Sequence, residues 1–412
     1  MTLIRAFPGL RPAAGRAAEV VAPPYDVMSE AEAREMVKGK PWSFLHISRS
    51  EVDLPPATDP YSPQVYAKAA ENLAQMMHEG ILLQDNSDCY YVYRLSIGEH
   101  SQLGVVAAAS VAAYDTDRIK RHELTRPTKE QDRVNQIDAL NAQTGPVYLV
   151  YHSDDRIDDL LAGVAEGEAA IDIAAADGVR HQIWVLSDKT RITALTLLFD
   201  ALPALYVADG HHRSAAASRV AATRAAANPQ HTGDEPYNYF LSVIFPHQQT
   251  RILDYNRIIR DLNGLSKSQF MDAVGEHFKV EQAAHPVKPE ETGQFGMYLD
   301  GAWYRLALDQ KRIPVSDPVA SLDVSLLANE LLEPILGVAD QRTDNRIDFV
   351  GGIRGLKALE HRVDSGEWAV AFALYPTSMT ALMAVSDAGK IMPPKSTWFE
   401  PKLADGLVSH LL

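Results

Sequence analysis

Cysteine is nearly absent from this sequence, and long hydrophobic runs are missing. Cys89 is the only cysteine in 412 residues, which excludes a disulfide framework and a metal site built on a Cys-x-x-Cys pair. No apolar run reaches the length of about 20 residues that a membrane-spanning helix needs. The first residues, Met-Thr-Leu-Ile-Arg-Ala-Phe-Pro-Gly, have no apolar core like that of a secretory signal. We therefore expect a cytoplasmic protein without a membrane partner.

An excess of basic residues is also lacking. The chain has 39 Lys and Arg residues against 54 Asp and Glu residues, a formal net charge of −15. Extended binding to DNA or RNA needs basic surface, so we expect no nucleic-acid partner, although a local basic pocket remains compatible with this charge. Hydrophobic residues make up 46% and charged residues 23% of the chain, which is typical of a globular protein. Its length favours two or three packed units.

Several common catalytic signatures are missing as well. The sequence contains no Gly-x-Ser-x-Gly nucleophile elbow, no Walker phosphate loop and no Gly-x-Gly-x-x-Gly turn after a strand. These absences argue against a serine hydrolase of that type, a P-loop enzyme and a Rossmann dinucleotide site. No pattern in the sequence indicates haem, flavin, NAD or structural zinc.

The most informative stretch that is present combines a strand, a turn and a helix. An apolar run at 205–208 leads into an Asp-Gly turn, and an alanine-rich helical pattern follows. The polar residues of this stretch are Asp209, Gly210, His211, His212 and Arg213. The first N–H groups of a helix have no partner within the helix, and the helix dipole adds positive charge there, so a phosphate or carboxylate can bind. Alternatively, the histidines only cover a polar helix end.

A second charged stretch, at 118–133, enters another predicted helix. Its candidate substrate or phosphate ligands and acid–base groups are His122, Glu123, Arg126, Lys129 and Arg133. The pair Thr128 and Gln131 predicts a capping box at the helix start. The alternative is a solvated helix end with local ion pairs, which is the usual outcome for such a charge run.

Prolines fix two further loops that carry polar side chains. Pro23 and Pro24 precede Tyr25 and Asp26, and consecutive prolines hold an extended path that orients the residues after them. A proline-rich tail near the end of the chain carries Lys395, Ser396 and Lys402. Both loops are candidate walls of a binding site, and both are equally compatible with plain surface segments.

The predicted elements give an α/β fold with a mixed sheet and helices. Strands and helices alternate around the Asp-Gly-His-His-Arg stretch, and the alternating residues at 41–49 predict one further strand. A change in composition near residue 262 suggests a domain boundary. We predict a main domain at 1–262, a small α+β insertion at 263–310 and a C-terminal segment at 311–412 that packs back on the main domain.

The residue types fit phosphoryl transfer to or from a small hydroxylated metabolite. In that mechanism His211, His212 and Arg213 hold phosphate oxygens, and Asp209, Glu123 or Asp26 binds magnesium or accepts the hydroxyl proton. A second hypothesis is a regulator that binds a nucleotide or phosphorylated metabolite without catalysis. A third is a metal-dependent hydrolase centred on His211 and His212, with Asp209 or Glu123 completing the metal ligands. The oligomeric state is not indicated by the sequence.

Several longer blocks resemble the bacterial and archaeal "domain of unknown function 1015" family. The resemblance runs nearly end to end and rests on these blocks: Arg5-Ala-Phe-Pro-Gly-Leu-Arg-Pro, Val21-Ala-Pro-Pro-Tyr-Asp-Val, His122-Glu-Leu-Thr, Lys129-Glu-Gln-Asp-Arg, Ala208-Asp-Gly-His-His-Arg and Met392-Pro-Pro-Lys-Ser-Thr-Trp-Phe-Glu-Pro-Lys. The family implies little settled biochemistry.

The Asp-Gly-His-His-Arg box alone is also similar to the phosphate-binding box of the ParB/sulfiredoxin-like superfamily. This resemblance covers Gly210, His211, His212 and Arg213. It implies a ParB/sulfiredoxin-like core, ATP or ADP with Mg²⁺ as ligands, and activity like that of the superfamily's free-serine kinases. The box begins at residue 209, whereas compact members carry it soon after their first strand, so the resemblance also implies a large insertion within 50–200.

Overall fold

Two sheets, each with its own helices, organise the chain. The computed structural model describes residues 2–412. Chain contacts divide it into a first unit, which runs up to Thr250 and resumes at Pro401–Leu412, and a second unit, Arg251–Glu400. The chain thus leaves the first unit, forms the second and returns.

The strands of the first unit are β1 Ile4–Arg5, β2 Leu10–Pro12, β3 Leu82–Gln84, β4 Tyr90–Ile97, β5 His100–Ser110, β6 Ile119–Lys120, β7 Ala142–Gln143, β8 Val147–Tyr151, β9 Ile171–Ala174, β10 Arg180–Leu186, β11 Leu205–Asp209 and β12 Tyr239–Pro246. Those of the second unit are β13 Ile252–Leu253, β14 Tyr255–Ile259, β15 Phe278–Ala283, β16 Gln294–Leu299, β17 Ala302–Leu308, β18 Ile347–Gly351, β19 Val370–Leu374 and β20 Trp398–Phe399. The last strand, β21 His410–Leu411, belongs to the first unit again.

The α-helices of the first unit are α1 Ala17–Val20, α2 Glu30–Met36, α3 Leu45–Ser48, α4 Pro63–His78, α5 Val111–Asp115, α6 Pro127–Leu140, α7 Asp155–Ala165, α8 Lys189–Asp200 and α9 His211–Ala227. Those of the second unit are α10 Lys267–His277, α11 Asp323–Leu327, α12 Leu356–Asp364 and α13 Met379–Asp387. The predicted α/β class is therefore correct. In residues 2–412, no helix combines the length and apolar character needed to cross a bilayer.

The main sheet of the first unit is mixed. Its strand order is β6-β11-β8-β12-β5-β4-β10-β9, and β1 pairs with β5. β12 runs parallel to β8 and antiparallel to β5, so parallel and antiparallel ladders meet in the middle of the sheet. The strand β5 has small residues there, and Ala107, Ala108 and Ala109 are fully buried. A Cβ at Gly104 would come within 2.3 Å of the carbonyl oxygen of Ile244, so the sheet centre admits only a glycine at that position.

Helix packing brings the two charged stretches of the sequence together. Helix α9 follows β11, and α6 follows the 118–126 loop. Ile137 of α6 and the buried residues Ala216 and Val220 of α9 share one apolar cluster. Because each helix buries its apolar stripe against the other, their N-terminal ends are held near each other.

The second unit has its own six-stranded sheet, with the order β15-β17-β16-β19-β14-β18. Neighbouring strands in this sheet are antiparallel. Its core includes Ile258, Trp303, Leu359 and Trp368, all of which are buried. Helix α12 lies on this core through Leu359 and Val363.

The observed units differ from the predicted domain boundaries of 1–262, 263–310 and 311–412. Strand β16, in the predicted insertion, pairs with β19, which lies in the predicted C-terminal segment. Strand β14, placed in the main domain by the sequence, pairs with both β18 and β19. All three predicted segments therefore contribute to one sheet, because strand pairing joins residues that are far apart in sequence.

Two local predictions are wrong. The 41–49 segment contains the short helix α3 rather than a strand, since the consecutive residues Phe44 and Leu45 are both buried, and a strand with one buried face would expose one of them. Helix α6 has no capping box at Thr128, because the helix begins at Pro127 with Arg126 as its N-cap residue. Proline at the first helical position sets that start.

Candidate functional site

The strand, turn and helix predicted at 205–218 are present. β11 ends at Asp209, Gly210 has a φ of 101°, and α9 begins at His211. A Cβ at Gly210 would lie 3.2 Å from the guanidinium carbon of Arg213 and 3.3 Å from the Cα of Val147. The N-cap residue of α9 is Gly210, which has no side chain that could cap the helix start. The first N–H groups of this 17-residue helix can therefore bind an anion.

Two cations flank the carboxylate of Asp209. The ammonium of Lys402 donates a hydrogen bond of 3.2 Å to Oδ2, and Nη2 of Arg213 lies 3.8 Å from Oδ1. Arg213 also donates through Nη1 to the carbonyl oxygen of Pro146. The Asp209 side chain is 34% exposed, so this ion-paired group still faces solvent.

These neighbours fix the charge of Asp209. Desolvation alone would raise the pKa of this carboxyl, but Lys402 and Arg213 outweigh it and hold the pKa well below its ordinary value. Burial opposes the charge of Lys402 in turn, yet Asp209 raises the pKa of that lysine. Asp209 is therefore ionised at neutral pH and a weak base, which suits a magnesium ligand better than a proton acceptor.

His212 is turned toward the 118–126 loop. Its Nε2 accepts a 3.0 Å hydrogen bond from the backbone N–H of Arg126. Burial, together with the charges of Arg126 and Arg213, lowers the pKa of this histidine, so the ring is a neutral acceptor. The side chain of His212 thus holds the entry of α6 beside the start of α9.

A different histidine lies against His211. The rings of His122 and His211 meet edge to face, with centroids 4.4 Å apart and planes at 87°. Nδ1 of His211 lies 3.8 Å from Oε2 of Glu123. Burial lowers the pKa of His122 to about 4, and burial followed by the proximity of His122 lowers that of His211. Both imidazoles are therefore neutral at pH 7.

The Pro23–Pro24 loop forms a wall beside Arg133. The guanidinium carbon of Arg133 lies 4.0 Å from the ring centroid of Tyr25. The same guanidinium donates to Oδ2 of Asp132 at 2.7 Å. A pocket of 320 Å³ opens here, and the charged side chains of its lining are Asp26, Arg49, Glu51, Lys129, Asp132 and Arg133. This volume suits a small polar metabolite.

Asp405 completes the site and was not among the residues predicted from the sequence. Its backbone exchanges hydrogen bonds of 2.9 and 3.2 Å with Ala22, which joins the C-terminal tail to the Pro23–Pro24 loop. Burial raises the pKa of the Asp405 carboxyl to about 7, while Arg213 acts in the opposite direction. Tyr25, Arg133, Arg213 and Asp405 line a second cavity of 30 Å³, which is large enough for a water molecule.

The structure brings together most residues that the sequence singled out. Asp26 acts electrostatically on Arg213, Lys402 and Asp405. Lys129 lines the 320 Å³ pocket, and its ammonium donates to the hydroxyl of Tyr61 at 2.9 Å. Arg126 contributes its backbone N–H, whereas its side chain is exposed.

Lys395 and Ser396 belong to the second unit. There the Ser396 hydroxyl donates to the carbonyl oxygen of Pro393 at 2.6 Å. The carbonyl oxygen of Lys395 accepts a hydrogen bond of 3.0 Å from the buried Arg257. A role of Lys395 and Ser396 in phosphate binding stays a prediction.

The charges of the first unit's site are nearly balanced. Its cations are Arg133, Arg213 and Lys402, and its carboxylates are Asp26, Asp132, Asp209 and Asp405. These groups interact through the contacts and electrostatic effects described above. At the predicted anion-binding helix start, the cations are therefore paired with carboxylates. An incoming phosphate would meet backbone N–H groups as well as cations that already have carboxylate partners.

The family follows from comparison with known proteins. A family model described as "Protein of unknown function (DUF1015)" matches residues 4–325. The chain belongs to the DUF1015 family. The matched range contains the strand, turn and helix at Asp209 and the His122–Glu123 loop. A search of curated proteins found no match to this DUF1015 chain.

Several solved structures are similar to this DUF1015 protein. A free serine kinase mutant in complex with AMP is 12% identical, with a TM-score of 0.36 over 74% of this chain and 90% of that chain. A conserved hypothetical protein from Pyrococcus furiosus is 12% identical, with a TM-score of 0.35 over 77% of this chain and 98% of that one. A truncated SbnI from Staphylococcus aureus is 12% identical, with a TM-score of 0.38 over 74% and 87%. At these scores the similarity carries no functional argument, and the fold class rests on the strand pairing above.

Proposed function

We propose that the first unit binds the phosphate groups of a nucleotide at the start of α9 and transfers a phosphoryl group to a small hydroxylated metabolite. The observation that carries this proposal is the uncapped helix start after Gly210, with the guanidinium of Arg213 packed under the turn. Backbone N–H groups at a helix N-terminus and a guanidinium are both effective phosphate ligands. A serine kinase is the concrete form of this hypothesis.

The roles of the side chains follow from their contacts. Arg213 and the first N–H groups of α9 hold phosphate oxygens, and the 320 Å³ pocket beside Tyr25 accommodates the metabolite. Asp209 is ionised and partly exposed, so it fits an Mg²⁺ ion that shields phosphate charge. Glu123 is the other carboxylate near this helix start, and it acts on the transfer step as a base or as a metal ligand.

Calorimetry with ATP, ADP and AMP, each with and without Mg²⁺, tests the phosphate site. We expect Arg213→Ala to weaken nucleotide binding at least about tenfold, because a charged hydrogen bond contributes roughly 1.5–3 kcal/mol. Arg219→Ala is the matched control, since Arg219 lies on the same helix but forms a surface pair with Glu130 at 3.1 Å. Equal affinities for the wild-type protein and a folded Arg213→Ala variant would remove the phosphate site from consideration.

Turnover separates transfer from binding alone. If the protein is a phosphotransferase, Glu123→Gln should lower the rate of ADP formation from ATP, or of AMP formation from ADP, far more than it lowers nucleotide affinity. A regulator without catalysis remains the second candidate, favoured by the pairing of Asp209 with Lys402 and Arg213, which leaves that carboxylate a weak base. Tight nucleotide binding without turnover of any hydroxylated amino acid would support that candidate.

The same proposal includes a superfamily relation, a cellular location and a ligand class. The relation to ParB/sulfiredoxin-like phosphate-binding proteins rests on Gly210, His211, His212 and Arg213 at the helix start. We place the activity in the cytoplasm, where nucleotides and small phosphorylated metabolites are abundant. The ligand is a nucleotide or a small phosphorylated metabolite, and the direction of transfer is left to the turnover measurement.

A further inference from the structure

Two buried imidazoles and one carboxylate converge at the start of α9. One potential ligand atom from each of His122, Glu123 and His211 lies within 4.8 Å of the other two. His122 is 2% exposed and His211 is 5% exposed. The Glu123 side chain is 49% exposed. The two imidazole rings are therefore buried in the protein, and the carboxylate beside them is accessible to solvent.

One ring nitrogen of each histidine in this group is not used by the fold. In the described residues, Nδ1 of His122 and Nε2 of His211 are buried and have no hydrogen-bond partner. A buried polar atom without a partner costs roughly 1–3 kcal/mol. Other buried histidines in the same unit do have partners, such as His181, whose Nδ1 lies 2.7 Å from the Tyr93 hydroxyl. The imidazole pair beside Glu123 thus differs from a structural histidine.

The protein also orients one of the rings. The backbone of Val207, on β11, lies close enough to the His122 ring to raise its pKa against the effect of burial. Nδ1 of that ring is buried and has no hydrogen-bond partner among the described residues, so it remains for another ligand. A carbonyl that accepts one ring N–H is the usual means by which proteins orient a metal-binding histidine.

We propose that His122, His211 and Glu123 form a binding site for a first-row transition-metal dication of the Zn²⁺ type. Two neutral imidazoles with one carboxylate match the ligand set of open zinc and non-haem iron sites. Mg²⁺ prefers an all-oxygen shell, so this site is separate from any magnesium bound at Asp209. Three protein ligands leave at least one coordination position for water or for an oxygen of a substrate.

The distances permit this site with a small local adjustment. Ligand atoms about 2.0–2.2 Å from a tetrahedral zinc lie roughly 3.4 Å from one another, compared with the upper limit of 4.8 Å here. The buried rings are fixed by their packing, and Glu123 is the exposed member, so the carboxylate makes most of the movement. The sequence predicted a possible metal site centred on His211 and His212. We propose His122 as the second histidine ligand in place of His212, because Nε2 of His212 already accepts the N–H of Arg126.

The test is a titration of the metal-free full-length protein with Zn²⁺ alone, followed by calorimetry and elemental analysis after dialysis. We expect one Zn²⁺ per chain, and Co²⁺ in its place should give the visible absorption of a bound ion. Glu123→Gln, His122→Gln and His211→Gln should each lose stoichiometric binding. Glu123→Gln carries the test if a buried histidine variant does not fold, because that side chain is half-exposed.

His231→Ala provides the matched control. His231 also faces a carboxylate, with Nδ1 3.1 Å from Oε2 of Glu235, but it is a surface pair whose ring contacts the Tyr237 hydroxyl. This variant should bind Zn²⁺ as the wild type does. Absence of stoichiometric Zn²⁺ in the wild type, or wild-type binding by the folded Glu123→Gln variant, would overturn the site. Because no nucleotide is present, the result is independent of phosphate binding, and Arg213→Ala should still take up Zn²⁺.

Discussion

Asp405 shows how burial sets the behaviour of a single residue. The side chain lies 1% exposed beside Arg213 and Arg133, and burial raises its pKa from 3.8 to about 7. Because the folded chain binds this proton more tightly than the unfolded chain, the contribution to stability is fully present below about pH 4. It is lost as the pH rises through about 7.

Asp405→Asn should therefore become progressively more stable than the wild type as the pH rises from 5 to 8. The asparagine resembles the protonated carboxyl, whereas the wild-type carboxyl is already ionised in the unfolded chain at pH 5, so the variant should be slightly more stable near pH 5 and clearly more stable near pH 8. The difference near pH 8 should be on the order of 1–4 kcal/mol, given about 1.4 kcal/mol per unit of pKa. Urea unfolding at both pH values measures it. A constant difference across this range would show that Asp405 does not titrate near neutrality.

Gly210 links two elements, β11 and α9. Its φ of 101° is unfavourable for residues with a side chain, and a Cβ there would meet Arg213 at 3.1 Å and Val147 at 3.3 Å. Gly210→Ala should lower the free energy of unfolding by roughly 1–3 kcal/mol, and it should also displace Arg213 and weaken nucleotide binding.

Gly178→Ala separates backbone strain from these contacts. Gly178 has a φ of 84°, but a Cβ there would meet no atom within 4 Å. We expect Gly178→Ala to lower stability less than Gly210→Ala and to leave nucleotide affinity unchanged. Thermal unfolding and calorimetry of both variants provide the comparison. If the two losses of stability were equal, the close packing around Gly210 would have no energetic importance.

Across the whole chain, the first unit depends on a segment that follows the second unit in sequence. β21 pairs with β7, the backbone of Ser409 bonds with Leu10, and that of Asp405 bonds with Ala22. Truncation after Glu400 should abolish cooperative unfolding of the first unit, or lower its melting temperature by many degrees, and should remove Lys402 from Asp209.

Residues 251–400 provide the control for this truncation. All six strands of the second sheet lie within that range, so the segment expressed alone should keep its secondary structure and its cooperative unfolding. Circular dichroism of the truncated chain and of the isolated 251–400 segment distinguishes the two effects. A truncated chain with an unchanged melting curve would show that Pro401–Leu412 is not needed by the first unit.

The local sequence determined the elements whose signals lie within a few residues. The apolar run at 205–208, the Asp-Gly turn and the alanine-rich pattern after it predicted β11, the turn at Gly210 and α9, because strand, turn and helix preferences are local properties. The alternation of predicted strands and helices likewise predicted the α/β class. By contrast, alternation at 41–49 was misleading, since a short run of apolar residues fits a helical turn as well as a strand.

Only the tertiary structure decided which side chains share a site. Strand pairing joined strands from 251–262, 263–310 and 311–400 in one sheet. A domain boundary drawn from composition could not show this pairing. Helix packing placed His122, rather than His212, against His211, and the return of the chain placed Asp405 beside Arg213. The physical reason is that long-range packing and burial set these distances and pKa values, and neither is a property of neighbouring residues in the sequence.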